Sequence, residues 1–232
     1  MQAKDIMSSP VITVSSDSDV RETARKLLDN RISAVPVIDN AGKLVGIISE
    51  GDLMRREETG TQRPSSWWLS FFLDPERQTR SYIKSHSRRV SDVMTSHVVT
   101  VNEDTPLDEI ADILSRKRIK RVPVLREGAL VGIVSRADLL RGLIVQRNGP
   151  APSADDHVIK AAVLKGFVDA GVNDRLLTIV VSAGIVHIWG VADSEQERDA
   201  IRVVAETAPG VKQVRCNVDA IPASARVVLW PD

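Results

Sequence analysis

The chain has one cysteine, no excess of either charge and few aromatic residues. A lone Cys216 excludes an internal disulfide and is typical of a reducing compartment. Lys plus Arg and Asp plus Glu number 31 each, so no net charge draws the chain to nucleic acid or to an anionic membrane. No apolar run is long enough to span a bilayer, and MQAKDIMSSP does not resemble a cleavable leader, so we expect a cytoplasmic protein.

The sequence also lacks the motifs of common catalytic and metal sites. None of G-x-G-x-x-G, G-x-x-x-x-G-K-[ST] or G-x-S-x-G occurs. The four histidines have no metal-ligand spacing and stand at His86, His97, His157 and His187. We therefore expect no catalytic residues, no metal and no enzymatic activity.

The feature that stands out is an internal repeat. LVGIISEGDL begins at Leu44 and LVGIVSRADL at Leu130. KDIMSSPVITV and SDVMTSHVVTV precede them, and RISAVPVI matches RIKRVPVL, all in the same order. Two copies of about 55 residues in one order indicate a duplicated supersecondary unit.

Each copy is predicted to read strand, helix, strand, strand, helix. The first helix of copy one is predicted to be capped by Ser18, and that of copy two by Thr105. Apolar residues at helical spacing predict the buried face of the copy-one helix as Val20, Ala24, Leu27 and Leu28. The fold class is therefore α/β (α+β), with two βαββα repeats that pack together because neither covers its own sheet.

Both copies carry S-x-x-D where the last helix begins, at Ser49 with Asp52 and at Ser135 with Asp138. One interpretation is a capping box, in which each side chain bonds the backbone of the other. The other is a ligand site, in which the hydroxyl donates to phosphate and the carboxylate accepts both hydroxyls of a ribose. The pattern leaves both open.

Basic residues distinguish the two copies. In the second copy Lys120 and Arg121 directly precede the strand and Arg136 lies within the S-x-x-D motif, whereas the first copy has the uncharged Ser33 and Ala34 in place of Lys120 and Arg121. Cations favour phosphate, although basic residues at a helix end also occur as solvated partners of the helix dipole. We expect the second site to be the more cationic.

These repeats resemble two CBS domains, a tandem arrangement called a Bateman module. The resemblance implies a pair packed around a pseudo-twofold axis, with two clefts that in many members bind AMP, ADP, ATP, NAD or S-adenosyl compounds. It implies ribose contacts by Asp52 and Asp138 and phosphate contacts by Ser49, Ser135, Arg136, Lys120 and Arg121. It further implies that the base lies against Val11, Ile12, Thr13, Ser33, Ala34 and Pro36, or against Val98, Val99, Thr100 and Pro123.

A third piece follows the repeats. We predict a helix over 155–170, with Val158, Ala161, Leu164 and Val168 facing inward, followed by two strands joined at Ala183-Gly184. A helix capped by Ser194 and a last strand follow. The segment resembles a BON domain, αββαβ, a family associated with phospholipid or periplasmic surfaces. Residues 155–222 hold seven Lys and Arg against ten Asp and Glu, which argues against anionic lipid and favours a protein-interaction or structural role.

The connection between the repeats is long and holds five of the eight aromatic residues, namely Trp67, Trp68, Phe71, Phe72 and Tyr82. One interpretation is a helix that closes over the module or swaps onto a second subunit; another is a regulated partner site or a lid over a nucleotide cleft.

The predicted domains are repeat one (1–58), the aromatic linker (59–89), repeat two (90–147), a short linker (148–153), the BON-like domain (154–222) and a tail (223–232). We predict a regulatory protein that senses adenine nucleotides, forms a homodimer through the CBS pair and relays its state to a protein partner. The alternatives are a ligand-free dimerisation scaffold, or an adaptor that meets membrane or nucleic acid through the BON-like domain.

Overall fold

The computed structural model describes residues 1–54, 87–148 and 152–221. The described residues fall into two compact units. The first-repeat unit comprises those of 12–99 and 128–130, and the second-repeat unit those of 1–11, 100–127 and 131 onward. In chain order the elements are α1 (Ala3–Ile6), β1 (Val14–Ser15), α2 (Val20–Asp29), β2 (Ala34–Ile38), β3 (Leu44–Ser49), α3 (Glu50–Leu53), α4 (Val90–Val93), β4 (Val101–Asn102), α5 (Leu107–Arg116), β5 (Arg121–Arg126), β6 (Ala129–Ser135), α6 (Arg136–Asn148), α7 (Ala154–Asp169), a 3₁₀ turn (Asp174–Leu176), β7 (Leu177–Ser182), β8 (Ile185–Ala192), α8 (Glu195–Thr207) and β9 (Gln213–Ala220).

Each repeat forms the predicted βαββα unit, which confirms the fold class. The three strands of a repeat lie in chain order in one sheet, β1-β2-β3 or β4-β5-β6. β1 runs parallel to β2, which runs antiparallel to β3 with Ala34 opposite Ser49. This register puts the end of β3, where the Ser–Asp motif begins, beside the start of β2.

The predicted details of α2 need correction. The helix is capped by Asp19 rather than Ser18, because its carboxylate accepts a hydrogen bond from Arg21 N at 2.7 Å. Its buried face is Val20, Thr23 and Leu27, while Leu28 is 72% exposed. Val20 and Leu27 are thus buried as predicted, and Thr23 takes the place on the buried face that was predicted for Leu28.

The predicted cap of α5 also shifts. The helix begins at Leu107 with Pro106 in the cap position, and Thr105 Oγ1 instead accepts from Asn102 N at 3.0 Å. The hydroxyl therefore closes the turn after β4 rather than the helix.

The boundaries of the compact units do not coincide with the boundaries of the sequence repeats. Residues before the first repeat's strand bond the second repeat, with Ala3 N to Thr105 O at 2.9 Å and Ser8 N to Ile133 O at 3.0 Å. The matching segment after residue 87 bonds the first repeat, as in Ile47 N to Thr95 O at 3.0 Å. Each sheet is therefore completed by the segment that precedes the other copy in sequence.

These exchanged segments explain the glycine in both LVGI motifs. A Cβ at Gly46 would collide with the thioether of Met94, and one at Gly132 with that of Met7. Each glycine leaves the room in which the methionine of the exchanged segment packs, and Met7 and Met94 hold matching places in the repeat.

The C-terminal domain is αββαβ, as predicted. β7 and β8 form an antiparallel hairpin, and β9 adds in parallel to β8. Ala183 and Gly184, the predicted turn, have φ of 54° and 79°, the left-handed pair that a two-residue hairpin turn uses. Asp156 accepts from Ser153 N and Gly184 N, so one carboxylate ties the start of α7 to this turn. These bonds outweigh burial and lower the pKa of Asp156.

The predicted inner face of α7 is wrong for Val158, Ala161 and Val168, and right for Leu164, which is half-buried against the core. Ile159, Val163 and Phe167 enter the core, whereas Val158 and Val168 are 69% and 74% exposed. The helix carries apolar residues on two adjacent faces, so spacing alone could not choose between them. The sheet packs against the face that contains phenylalanine.

Candidate functional site

The Ser–Asp motif of the first repeat forms a capping box at the start of α3. Asp52 Oδ2 accepts from Ser49 N at 3.0 Å and from Ser49 Oγ at 2.7 Å. Among the described residues the hydrogen bonds to this carboxylate all reach Oδ2, and Asp52 is half-buried. The cap thus uses Oδ2, and no described residue donates to Oδ1.

Several predicted contacts of the first repeat gather around this motif. Glu50 N donates to Ser33 O at 3.0 Å, and Ala34 lies opposite Ser49 in the sheet. Because β1 runs parallel to β2, Ile12 and Thr13 approach the end of the sheet at which β2 starts. The other predicted contact in this strand, Pro36, is buried opposite Ile47.

The second repeat has the same box with a different environment. Asp138 Oδ2 accepts from Ser135 N at 2.9 Å and from Ser135 Oγ at 2.7 Å. Its Oδ1 accepts from Arg141 Nη1 at 2.8 Å and from Thr178 Oγ1 at 3.3 Å. Asp138 is 3% exposed, so both oxygens are engaged and shielded from solvent.

The predicted basic residues of the second repeat lie close together at the start of β5 and the start of α6. Arg136 N donates to Lys120 O at 3.1 Å and Arg136 Nε to Ile119 O at 3.2 Å. Arg121 is half-buried, and Lys120 and Arg136 are exposed. The matching residues of the first repeat are Ser33, Ala34 and Glu50, so the expected difference in charge is present in the fold.

The remaining predicted wall residues divide between the units. Thr100 and Pro123 belong to the second-repeat unit, with Pro123 buried in β5. Val98 and Val99 belong to the first-repeat unit, and Val11 to the second-repeat unit. These three residues thus lie outside the unit that holds the Ser–Asp pair of their own copy.

Two cavities lined by described residues hold few of the predicted residues. One of about 190 Å³ in the first-repeat unit includes Thr13, Ser15, Lys26 and Asp39. One of about 340 Å³ in the second-repeat unit lies among α1, the second repeat and the C-terminal domain. Two of its cations are in ion pairs, Lys4 with Asp104 and Arg126 with Glu103, each at 2.6 Å.

Lys160 lies in the wall of the larger cavity and links two parts of the second-repeat unit. Its Nζ donates to the carbonyls of Lys4 and Asp5, each at 3.1 Å. Burial lowers the pKa of Lys160 to about 8, against the opposing attraction of Asp5 and Asp138. Asp5 Oδ1 is buried without a hydrogen bond, with His157 Nε2 at 3.5 Å.

Sequence reasoning missed the partners of Asp138. Arg141 stands three residues along α6, a spacing that brings side chains together on a helix, so this ion pair could have been predicted. Thr178 offered no such signal, because a threonine in a strand indicates only a surface position until its neighbours are known. Lys160 was also missed, because a lysine on a helix indicates only a surface position until its neighbours are known.

Comparison with known proteins decides the family. A CBS-domain model matches residues 3–58 and 90–145, and a BON-domain model matches residues 155–222. The uncharacterized protein MJ1426 of Methanocaldococcus jannaschii is 36% identical over 155 residues, 62% of this chain and 92% of that protein. The chain is a CBS-domain protein. It consists of a tandem CBS pair followed by a C-terminal BON domain, as the sequence resemblance predicted.

Two further relatives are informative about the CBS pair. A crystal structure of CBSX2 in complex with AMP has a TM-score of 0.54 and 25% identity, covering 62% of this chain and 97% of that one. The L-aspartate semialdehyde sulfurtransferase of Methanocaldococcus jannaschii is 30% identical over 139 residues, 60% of this chain but 22% of the enzyme. Similarity to this enzyme is therefore similarity to a fraction of its length.

Some predictions fall where the structure makes no statement. The aromatic linker, with Trp67, Trp68, Phe71, Phe72 and Tyr82, lies outside the described residues. Within residues 1–54, 87–148 and 152–221, the helices are too short or too polar to cross a bilayer. In the same ranges no group of three or more His, Cys, Asp or Glu is placed to hold a metal ion.

Proposed function

We propose that this protein is a non-catalytic regulatory sensor of adenine nucleotides, whose ligand is held at the Ser–Asp motifs of the CBS pair. The observation that carries the proposal is the first-repeat box, where the cap occupies Oδ2 of Asp52 and Oδ1 faces no described donor. An oxygen with free lone pairs beside a hydroxyl suits the diol of a ribose. The AMP complex of CBSX2, a CBS protein of similar fold, supports the ligand class.

The two repeats suit ligands of different charge. Lys120, Arg121 and Arg136 in the second repeat favour a phosphorylated nucleotide, because charge-assisted hydrogen bonds to phosphate are strong. The first repeat carries Glu50 in place of Arg136 and therefore favours a ligand with little negative charge, such as an S-adenosyl compound. ATP, ADP, AMP and NAD are the second-repeat candidates.

Binding can be measured by calorimetry and thermal denaturation on the full chain. AMP, ATP, NAD and S-adenosylmethionine are titrated separately, and a ligand at 100 times its Kd stabilises the fold by about 2.7 kcal/mol. Asp52→Ala and Asp138→Ala should each remove one class of binding. Asp112→Ala, an exposed acid paired with Arg116 on α5, is the matched control. Absence of binding by every compound at millimolar concentration would contradict the proposal.

The sensor passes its state to a protein partner, and it works as a homodimer formed through the CBS pair. A ligand changes the state only by binding one arrangement of the chain more tightly than another. The partner is captured by crosslinking the purified protein to its native lysate with and without AMP. Identical sets of crosslinked proteins would contradict the relay.

A ligand-free dimerisation scaffold is the second candidate. Its support is that both carboxylates already serve as helix caps, and that α6 exposes a group of large apolar side chains. These are Leu140, Leu143 and Ile144, which are 62%, 60% and 52% exposed. Leu143→Lys would dissociate a dimer formed by this face, and sedimentation velocity distinguishes the two species.

A further inference from the structure

The carboxylate of Asp138 is held by two parts of the second-repeat unit at once. Arg141 Nη1 donates to Asp138 Oδ1 at 2.8 Å and to Thr178 Oγ1 at 3.0 Å. Thr178 Oγ1 in turn donates to Asp138 Oδ1 at 3.3 Å. Aspartate, arginine and threonine thus form a closed triangle, in which the threonine alone comes from the BON domain.

This triangle is part of a larger docking surface of the BON domain. Thr178 and Val180 alternate along β7 with residues of the domain's own core, and they are 5% and 0% exposed. β7 packs against α1 and α6, and Lys160 of α7 donates to the carbonyls of Lys4 and Asp5. The outer face of β7 is therefore covered by the second repeat and the N-terminal segment.

A ribose that used Asp138 would need the oxygen that Thr178 occupies. Oδ2 is committed to the helix cap, and Oδ1 already accepts two hydrogen bonds and is shielded from solvent. A ligand hydroxyl can reach Oδ1 only after the threonine leaves, because the two groups claim the same lone pairs.

We infer that the BON domain is an internal competitor of ligand at the second repeat, so that nucleotide binding at Asp138 releases β7 from this surface. The inference rests on the proposed function, since it requires a ribose at Asp138. It assigns a physical route to the relay: the ligand exchanges with Thr178, and the freed face of the BON domain becomes available to a partner. The described residues of the first repeat contain no such contact at Asp52, so the competition is assigned to the second repeat.

Thr178→Val tests the competition, because it keeps the shape of the side chain and removes the hydroxyl. In a gated site the apparent affinity is reduced by the fraction of molecules that are competent. Loss of one hydrogen bond to a carboxylate should raise the affinity for AMP at the second repeat by about three- to tenfold. Thr178→Ser retains the hydroxyl and should bind AMP as the wild type does.

The matched control is Thr207→Val. Thr207 lies in the same domain, and its hydroxyl donates to Val203 O within its own helix. Arg141→Gln weakens the triangle from the other side and provides a second variant should Thr178→Val fail to fold. Hydrogen exchange of the full chain reports release, with faster exchange of the N-terminal segment 1–11 expected on addition of AMP.

The outcomes separate the two proposals. Tighter AMP binding by Thr178→Val, but not by Thr207→Val, with loss of the effect in the Asp138→Ala background, supports the competition. Equal affinities of wild type, Thr178→Val and Arg141→Gln overturn it and leave nucleotide sensing in place. If the wild type and all variants fail to bind AMP, ADP, ATP, NAD and S-adenosylmethionine, the proposed function is overturned, and the inference with it.

Discussion

The two CBS repeats share one motif and differ in what surrounds it. Both start their last helix with a serine whose backbone N–H is held by an aspartate three residues on. Among the described residues Asp52 is half-buried and accepts hydrogen bonds at Oδ2, whereas Asp138 is 3% exposed and accepts at both oxygens. The local chemistry of the cap is therefore the same in both copies, and among the described residues the C-terminal domain buries the aspartate of the second copy.

The largest expected difference concerns stability. Asp138→Ala removes the buried acceptor shared by Ser135, Arg141 and Thr178, and should lower the free energy of unfolding by about 2–4 kcal/mol. Asp52→Ala removes only a half-exposed cap, and should cost about 1 kcal/mol. Urea denaturation of the two variants measures both values. Equal losses would show that the extra contacts of Asp138 contribute nothing.

A second comparison probes what the repeats share. Gly132→Ala and Gly46→Ala should each destabilise the fold by about 1–3 kcal/mol, because the methyl group overpacks against Met7 or Met94. Gly132→Ala should cost more than Gly46→Ala. The methyl group added at Gly132 lies closer to the backbone end of Met7 than the one added at Gly46 does to that of Met94. Thermal denaturation measures the loss.

Gly51→Ala is the control for these variants, because the nearest atom to an added methyl, Ser49 Oγ, lies at an ordinary 3.6 Å. The double variant Met7→Ala with Gly132→Ala should recover part of the loss of Gly132→Ala. Without any recovery, the glycine serves a purpose other than making room for the methionine.

The docking of the BON domain should depend on alkaline pH through Lys160. Its pKa is about 8 in the folded chain, below the usual 10.5, so between these values the unfolded chain binds the extra proton. Stability therefore rises with pH across this window and is reduced below it, by about 1–3 kcal/mol.

The measurement is the difference in unfolding free energy between wild type and Lys160→Met, followed from pH 7 to about pH 10.5. Lys165→Met on the exposed side of α7 should follow the wild-type curve. If the Lys160→Met and wild-type curves remained parallel, the buried amine would not be titrating in this range.

The smallest expected effect is on ligand charge. Arg136→Glu should weaken AMP binding at the second repeat by about fivefold, and Glu50→Arg should strengthen it at the first by a similar factor. Both changes should diminish at high salt, because these side chains are exposed. Calorimetry at two salt concentrations tests them, and an unchanged affinity for AMP would exclude phosphate from this end of the site.

The sequence was informative where structure is local or periodic. Duplicated motifs predicted both βαββα units, and Ala183-Gly184 predicted the hairpin turn, because few backbone conformations satisfy these patterns. It failed for α7, whose two apolar faces are equivalent until a sheet selects one. It could not foresee Thr178 at Asp138, since a contact across 40 positions between domains depends on how surfaces dock, which no local preference encodes.

The two exchanged segments, each of which pairs with the other repeat, have a consequence for how the chain is made. Ser8 pairs with Ile133, so the segment around Ser8 can pair with this strand only after the residues between the two have been synthesised. Contacts this distant in sequence slow folding. A gene fragment cut at residue 90 would encode a second copy without Met7, leaving a vacant groove over Gly132. Isolating either compact unit intact would require a circular permutation that includes its exchanged segment.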